Sequence, residues 1–227
     1  MCADPIDDLR AKVKAAVEEF DSVVAYHETW RVASRDKALH QRVSHSFAGN
    51  TFLVVRSVLR RETLLALSRL WDTQRGAICM SSIADDLEKP AILDALCPTA
   101  NYAAHRQMAV EVVNLIRKYE NGASRAILKR LRKVRNQHLA HHQVVRKPIG
   151  VVQEDKIEKE IEALYADSAR LISLLEHVVE KNAYDPKDTA GIYTFYGQFF
   201  WEGVCGESTA DHPRQKRLRA VSSTQAC

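Results

Sequence analysis

An all-α bundle of four to five main helices is the fold class this sequence predicts, and three observations predict it. Gly and Pro number only 8 and 6 in 227 residues, about half their usual share, so turns are few. Apolar residues recur at i, i+3, i+4 and i+7 over long stretches, which is the helical period. Sustained strand-like alternation is missing even in the aromatic segment around Phe195, where helical spacing fits better. With 46% apolar and 27% charged residues, the chain can bury a real core and keep a charged surface.

The first helix opens at Asp4-Pro5, an N-cap followed by Pro at the first helical position. It runs to about Arg35, with Leu9, Val13, Ala16, Val17, Phe20, Val23, Val24 and His27 on one face. A second long helical segment spans about Asp36 to Trp71, apolar at Phe52, Val55, Leu59, Leu67 and Leu70. Gly49-Asn50 is its weak point, where a kink is expected. Short helices are expected near Ser81 and Asp85, before Cys97-Pro98-Thr99 breaks the chain. Met108, Val112, Leu115, Ile116 and Tyr119 define the next helix, and Asn121-Gly122 stops it.

Ala123 to about His142 reads as a further helix, followed by a loop in which Pro148 breaks any helical continuation. Glu154 to Asn182 is a charged amphipathic helix, apolar at Ile157, Ile161, Leu164, Leu171, Leu174, Leu175 and Val178. Ile192, Phe195, Tyr196 and Phe199 give a C-terminal helical extension over about 189–203. The expected organisation is one domain over residues 1–206, with a polar, basic tail at 207–227 that lacks periodicity and is expected to be disordered.

No apolar run approaches the roughly 20 residues of a membrane span, and MCADPIDDLR lacks the features of a signal peptide. Five scattered cysteines suggest neither a disulfide framework nor a zinc site. A cytoplasmic protein with no membrane partner is the expectation.

Charge is unevenly distributed. Residues 121–153 contain no Asp or Glu but hold Arg125, Lys129, Arg130, Arg132, Lys133, Arg135, Arg146 and Lys147. Exposed helices normally mix signs, since opposite charges one turn apart help and like charges repel. An acid-free helix therefore points to an anionic partner, most commonly phosphate. Lys129, Arg130, Arg132 and Lys133 are the candidate RNA-binding residues. The next helical region, 154–188, holds ten acids against five bases, enough to neutralise part of that charge within the fold.

At the end of the basic helix, Arg135 and Asn136 precede His138, His141 and His142. At 100° per residue, Ile127, Leu131, Val134, His138 and His141 share one stripe, with Leu128, Arg135 and His142 beside it. These polar groups thus share the side of the apolar ones and should face a cleft or an interface. His138 with His141 or His142 has helical metal-pair spacing. No Asp or Glu lies in this stretch to complete a ligand set, so neither metal nor cofactor is expected.

The run Arg135-Asn136-Gln137-His138-Leu139-Ala140-His141 resembles the signature of the HEPN superfamily: an Arg, a polar residue, and a His at the end of a helix in an all-α bundle. Together with Leu67-Ser68-Arg69-Leu70-Trp71-Asp72, the layout resembles the abortive-infection, AbiU-type branch over about residues 25–181. The resemblance implies metal-independent endoribonuclease activity in toxin or antiviral defence. It also implies a homodimer whose motif helices meet, and it allows a protein antitoxin as partner. It carries catalytic roles onto Arg135, Asn136 and His141. Some relatives have a Tyr shortly after the His, but here His142-Gln143-Val144 follows, which argues against tyrosine modification.

The chemistry has an independent logic, because RNA supplies its own nucleophile in the 2′-hydroxyl. An imidazole with a pKa of about 6.5 exchanges protons at neutral pH, and a guanidinium clamps phosphate through parallel hydrogen bonds. Arg135 and His141 lie about 9 Å apart along a straight helix and about 120° apart around it. Either the helix loosens or a second copy completes the site. Periodicity alone favours His142, which returns to the angle of Arg135, so both histidines remain candidates. Competing readings are a non-catalytic RNA-binding or adaptor bundle and a dimerisation module whose histidines only pack.

Overall fold

The computed structural model describes residues 4–44, 46–72, 80–97, 102–135 and 151–204. Among these residues the regular structure is entirely helical: α1 (Pro5–Arg35), α2 (Lys37–Ser44), α3 (Ala48–Leu70), α4 (Met80–Leu87), α5 (Pro90–Leu96), α6 (Tyr102–Glu120), α7 (Arg125–Val134), α8 (Val151–Leu175) and α9 (Pro186–Gly203). The all-α expectation holds. None of these helices is long and apolar enough to cross a membrane.

The expected weak point in the second segment is a break between α2 and α3. Ser46 is buried, and its hydroxyl accepts from the Ala48 N–H at 3.0 Å, which starts α3. Gly49 then lies inside α3, where a Cβ would come 2.5 Å from the Val43 carbonyl oxygen. The glycine is thus required by the close approach of α2's end, and the break falls just before it.

The charged helix α8 ends in one wide turn over Glu176–Glu180. Lys181 closes it in the left-handed conformation, φ 58°, and the Asn182 N–H donates back to the Glu176 carbonyl at 3.2 Å.

Sequence alone draws one domain over 1–206; its contacts gather into two compact units. The first comprises Met1–Val23 and Thr63–Asp188, the second Val24–Glu62 and Thr189–Cys227. In the first unit α4 and α8 pack on α6, and α7 packs against both α6 and α8. Its core includes Leu9, Val13, Phe20, Leu67, Ile83, Val112, Ile116 and Leu164, all fully buried. Side chains of this size contribute roughly 1.5–3 kcal/mol each on burial. Lys12 bridges α1 to Asp86 of α4 at 2.7 Å. Burial opposes ionisation of Asp86, but hydrogen bonds from Lys12 and Lys89 outweigh it and hold the carboxyl below the usual carboxylate range.

The second unit is organised around Ala33, Leu39, Val43, Phe52 and Trp201. The Phe52 and Trp201 rings meet edge-on at 5.4 Å.

Candidate functional site

α6 and α7 are joined by a tight turn at Asn121-Gly122. A Cβ on Gly122 would meet the Lys118 carbonyl oxygen at 2.8 Å and its Cα at 2.9 Å, so a side chain there would force the turn open. The Asn121 and Gly122 N–H groups both donate to the Arg117 carbonyl, at 3.0 and 3.1 Å. This turn sends α7 back along α6. α7 buries Leu128 and Leu131, one turn apart, and leaves five cations on the rest of its surface.

Two of the basic side chains from this segment reach the end of α3. The Arg135 guanidinium donates to the Asp72 carboxylate at 3.0 Å, and Arg132 donates to the Trp71 carbonyl at 3.3 Å. Arg132 and Arg135 are three residues apart, so both lie on one side of the helical path. They meet the carbonyl-rich C-terminal end of α3, where cations are favoured by the helix dipole. The Arg135–Asp72 pair is mostly withdrawn from solvent, its side chains 22% and 15% exposed.

Beside this pair an open cleft of about 370 Å³ is bordered by Trp71, Asp72, Arg117, Arg125, Lys129 and Arg132, among others. Its aromatic groups are structural. Trp71 is buried, its Nε1 donates to Ser168 at 2.9 Å, and its ring lies 4.9 Å from that of Tyr119. Tyr119 donates to Asp167 at 2.7 Å. Burial, reinforced by that hydrogen bond, raises the phenol's pKa well above its usual value and keeps it neutral. Asp167 is shifted the other way: burial opposes ionisation, yet hydrogen bonds from Lys118 and Tyr119 lower its pKa.

The cations of the cleft differ in their commitments. Arg117 is held by Asp85, Glu88 and Glu120 at 2.5, 2.9 and 2.6 Å, so it braces the wall. Arg125 and Lys129 are exposed and make no ion pair among the described residues. Arg130 leaves the cleft for α8, where Glu160 takes it through two hydrogen bonds of 2.6 and 2.5 Å. The acidic helix thus neutralises part of the basic one within the fold, as the charge distribution suggested. Lys133 is exposed and does not border the cleft.

Of the sequence-derived catalytic candidates, Arg135 is described and lies beside the cleft, joined to it through Asp72. Asn136, His138, His141 and His142 lie outside the described residues, as does the expected extension of the helix to His142. Arg125 and Arg117 join the cleft lining without having been singled out as binding residues. Arg125 carried a signal, since it belongs to the same acid-free run and lies one turn before Lys129. Arg117 carried little, because besides Glu120, one turn on in α6, its position depends on Asp85 and Glu88 at the end of α4.

Comparison with protein-family models matches residues 6–200 to the HEPN AbiU2 model, described as AbiU2. No curated protein and no solved structure matches the chain.

Proposed function

The chain belongs to the HEPN AbiU2 family, and from that premise we propose that it is an endoribonuclease of the toxin or antiviral-defence kind. The observation that carries the reading is the Arg135–Asp72 contact. It joins the two segments that mark the family resemblance, 63 residues apart in sequence, at the edge of a cation-lined cleft. Phosphate-directed chemistry needs a fixed guanidinium there, and Asp72 fixes it.

In this reaction the 2′-hydroxyl attacks its own 3′-phosphorus, and the bond from phosphorus to the 5′-oxygen breaks. An imidazole takes the 2′-hydroxyl proton, and a proton is delivered to the departing 5′-oxygen. The products are a 2′,3′-cyclic phosphate and a 5′-hydroxyl, and DNA is not a substrate. Arg135 stabilises charge on the non-bridging oxygens, and Asn136 orients a phosphate oxygen or the imidazole. His141 is the first candidate for proton transfer and His142 the second. Lys129 and Arg132 hold flanking phosphates, with Lys133 contributing at longer range. Arg130 contributes less because Glu160 already holds its guanidinium. A second copy of the chain supplies the complementary half of the site, and a protein antitoxin fits this kind of activity. The protein acts in the cytoplasm.

A non-catalytic RNA-binding module draws on the same cleft. The observation in its favour is again Asp72, because a guanidinium donating to a carboxylate has fewer N–H groups left for phosphate.

The test is cleavage of mixed cellular RNA with excess EDTA, comparing the native chain with Arg135→Ala/His141→Ala. Cleavage by the native chain alone, with cyclic-phosphate ends, is the expected result. Intact RNA with both proteins, together with salt-sensitive binding by both, would assign the cleft to binding without turnover.

A further inference from the structure

We propose that the cleft beside Arg135 is a subsite that selects guanine, with Glu120 as the residue that sets the preference. The inference rests on the RNA reading of this cleft and adds to it the identity of the nucleotide next to the cleaved bond.

The cleft is bordered by four cations, Arg117, Arg125, Lys129 and Arg132, and by two carboxylates, Asp72 and Glu120. Asp72 is committed to Arg135 at 3.0 Å. Glu120 is anchored from two helices. Arg117 of α6 donates to one of its oxygens at 2.6 Å, and the Ser81 hydroxyl of α4 donates to the other. An ionised carboxylate has about four acceptor sites, so each oxygen keeps one for a ligand.

Bracing Arg117 does not account for a carboxylate at this place. Asp85 and Glu88 already hold that guanidinium; they are 62% and 50% exposed and do not border the cleft. Glu120 is 13% exposed and does border it. A fixed negative group among cations that face a polyanion weakens binding through like-charge contact, unless the ligand brings N–H donors to it. Phosphates bring none, whereas bases do.

Single-stranded RNA is read on the Watson–Crick edges of its unstacked bases. On that edge only guanine presents two adjacent N–H donors, N1–H and the 2-amino group, which match the two oxygens of a carboxylate. Adenine and cytosine place a ring-nitrogen acceptor beside their amino group, and uracil places its N–H between two carbonyls. Each of these would set a lone pair against Glu120. Asn121 also borders the cleft and supplies an amide donor for the guanine O6. Met80 and Leu128, both nearly buried, give the base an apolar wall. A volume of about 370 Å³ lies near the lower end for small-ligand sites and suits a single nucleotide. Arg125 and Lys129, exposed and one turn apart on α7, take its phosphates.

The experiment is fluorescence anisotropy of the full chain with hexanucleotides in which fluorine replaces the 2′-hydroxyl, so that binding is read without cleavage. Each oligomer carries one guanosine, adenosine, cytidine or inosine among uridines. The guanosine oligomer should bind about 10–100-fold more tightly than those with adenosine or cytidine. Inosine, which lacks the 2-amino group, should fall between, and this comparison needs no substitution in the protein. Glu120→Gln should abolish the preference. Glu88→Gln, which removes a partner of Arg117 outside the cleft, should keep it, and both variants should retain the native circular dichroism spectrum. In cleavage of random-sequence RNA, guanine should occupy one fixed position beside the cut, and Glu120→Gln should lose that bias. Equal affinity for the four oligomers, inosine bound as tightly as guanosine, a preference that survives Glu120→Gln, or one that Glu88→Gln also abolishes would overturn the proposal. Cleavage without base preference would overturn the subsite and leave the ribonuclease reading standing; guanine-selective binding without cleavage would do the reverse.

Discussion

α7 and α9 are opposite solutions to what a short helix can do with its unburied side. In α7, five of ten residues are Lys or Arg, while the run from Thr189 to Trp201 in α9 has no charge at all. Both bury one narrow face, Leu128 and Leu131 in α7 and Thr194, Gly197 and Trp201 in α9. The open side of α7 acts through Coulomb forces that extend about 10 Å at 0.1 M salt. The open side of α9 acts only on contact, in proportion to area removed from water. The difference teaches that exposed side chains can interact with their surroundings in two physically distinct ways, which respond to different perturbations.

The sharpest way to break the comparison is at the chemical end of the α7 segment. Arg135→Ala and His141→Ala should each reduce single-turnover RNA cleavage by roughly 10²–10⁴-fold. RNA affinity, read by filter binding, should change less than about tenfold. Equal losses in cleavage and affinity would mean that Arg135 is one more phosphate contact among the α7 cations.

The two sides of α9 should separate nearly as widely. Trp201→Ala should cost about 3–5 kcal/mol in urea denaturation, since it empties the core shared with Phe52. Phe199→Ser should change the stability of the isolated monomer by no more than about 0.5 kcal/mol. Similar costs for both would remove the distinction between a docked face and an open one.

A smaller effect tests the division of labour along α7. Lys129→Gln and Arg132→Gln should each make the slope of log affinity against log salt shallower by about 0.7, the loss of one single-strand phosphate contact. Arg130→Gln should change that slope less, because Glu160 already holds its guanidinium. Its own cost to stability should not exceed about 1 kcal/mol, as the Arg side chain is partly exposed and solvent screens the pair.

The smallest expected effect is on pH dependence. Asp86 and Asp167 both have folded pKa values below their ordinary ones. Their contribution is therefore fully present above about pH 4, the unfolded carboxylate range, and is lost as pH falls through the lowered folded values. Urea midpoints measured from pH 5 to pH 2.5 should fall, and Asp86→Asn should flatten the fall. A profile unaffected by Asp86→Asn would show that Lys12 and Lys89 do not act through that carboxylate.

Most of the helical layout was legible in the sequence. α1 begins at Pro5 and ends at Arg35 as its capping and periodicity suggested, and α6 stops at the Asn121-Gly122 turn. The break before α3 was displaced by a few residues, because Gly49 marks a close backbone approach rather than the bend itself. The candidate site was legible only in part. Arg135 could be picked out because its immediate neighbours mark it. Its partner Asp72 stands 63 residues earlier, at the end of the Leu67–Asp72 run, with no local signal that the two meet, and of the three carboxylates around Arg117 only Glu120 is a near neighbour in sequence.

What the sequence by itself determined is what depends on neighbours within a turn or two: helix type, which faces are apolar, where chain breaks fall, and that α7 is basic and α9 aromatic. Helical period and side-chain chemistry suffice for these, since residues three and four apart share a face in any helix. Only tertiary structure decided what each polar or apolar face meets. It sent Arg130 to Glu160 and Arg135 to Asp72, left Arg125 and Lys129 exposed, and turned Trp201 inward while Phe199 remained outside. Those outcomes depend on distances between residues remote in sequence, and side chains of the same type can be committed or available depending on what packing brings beside them.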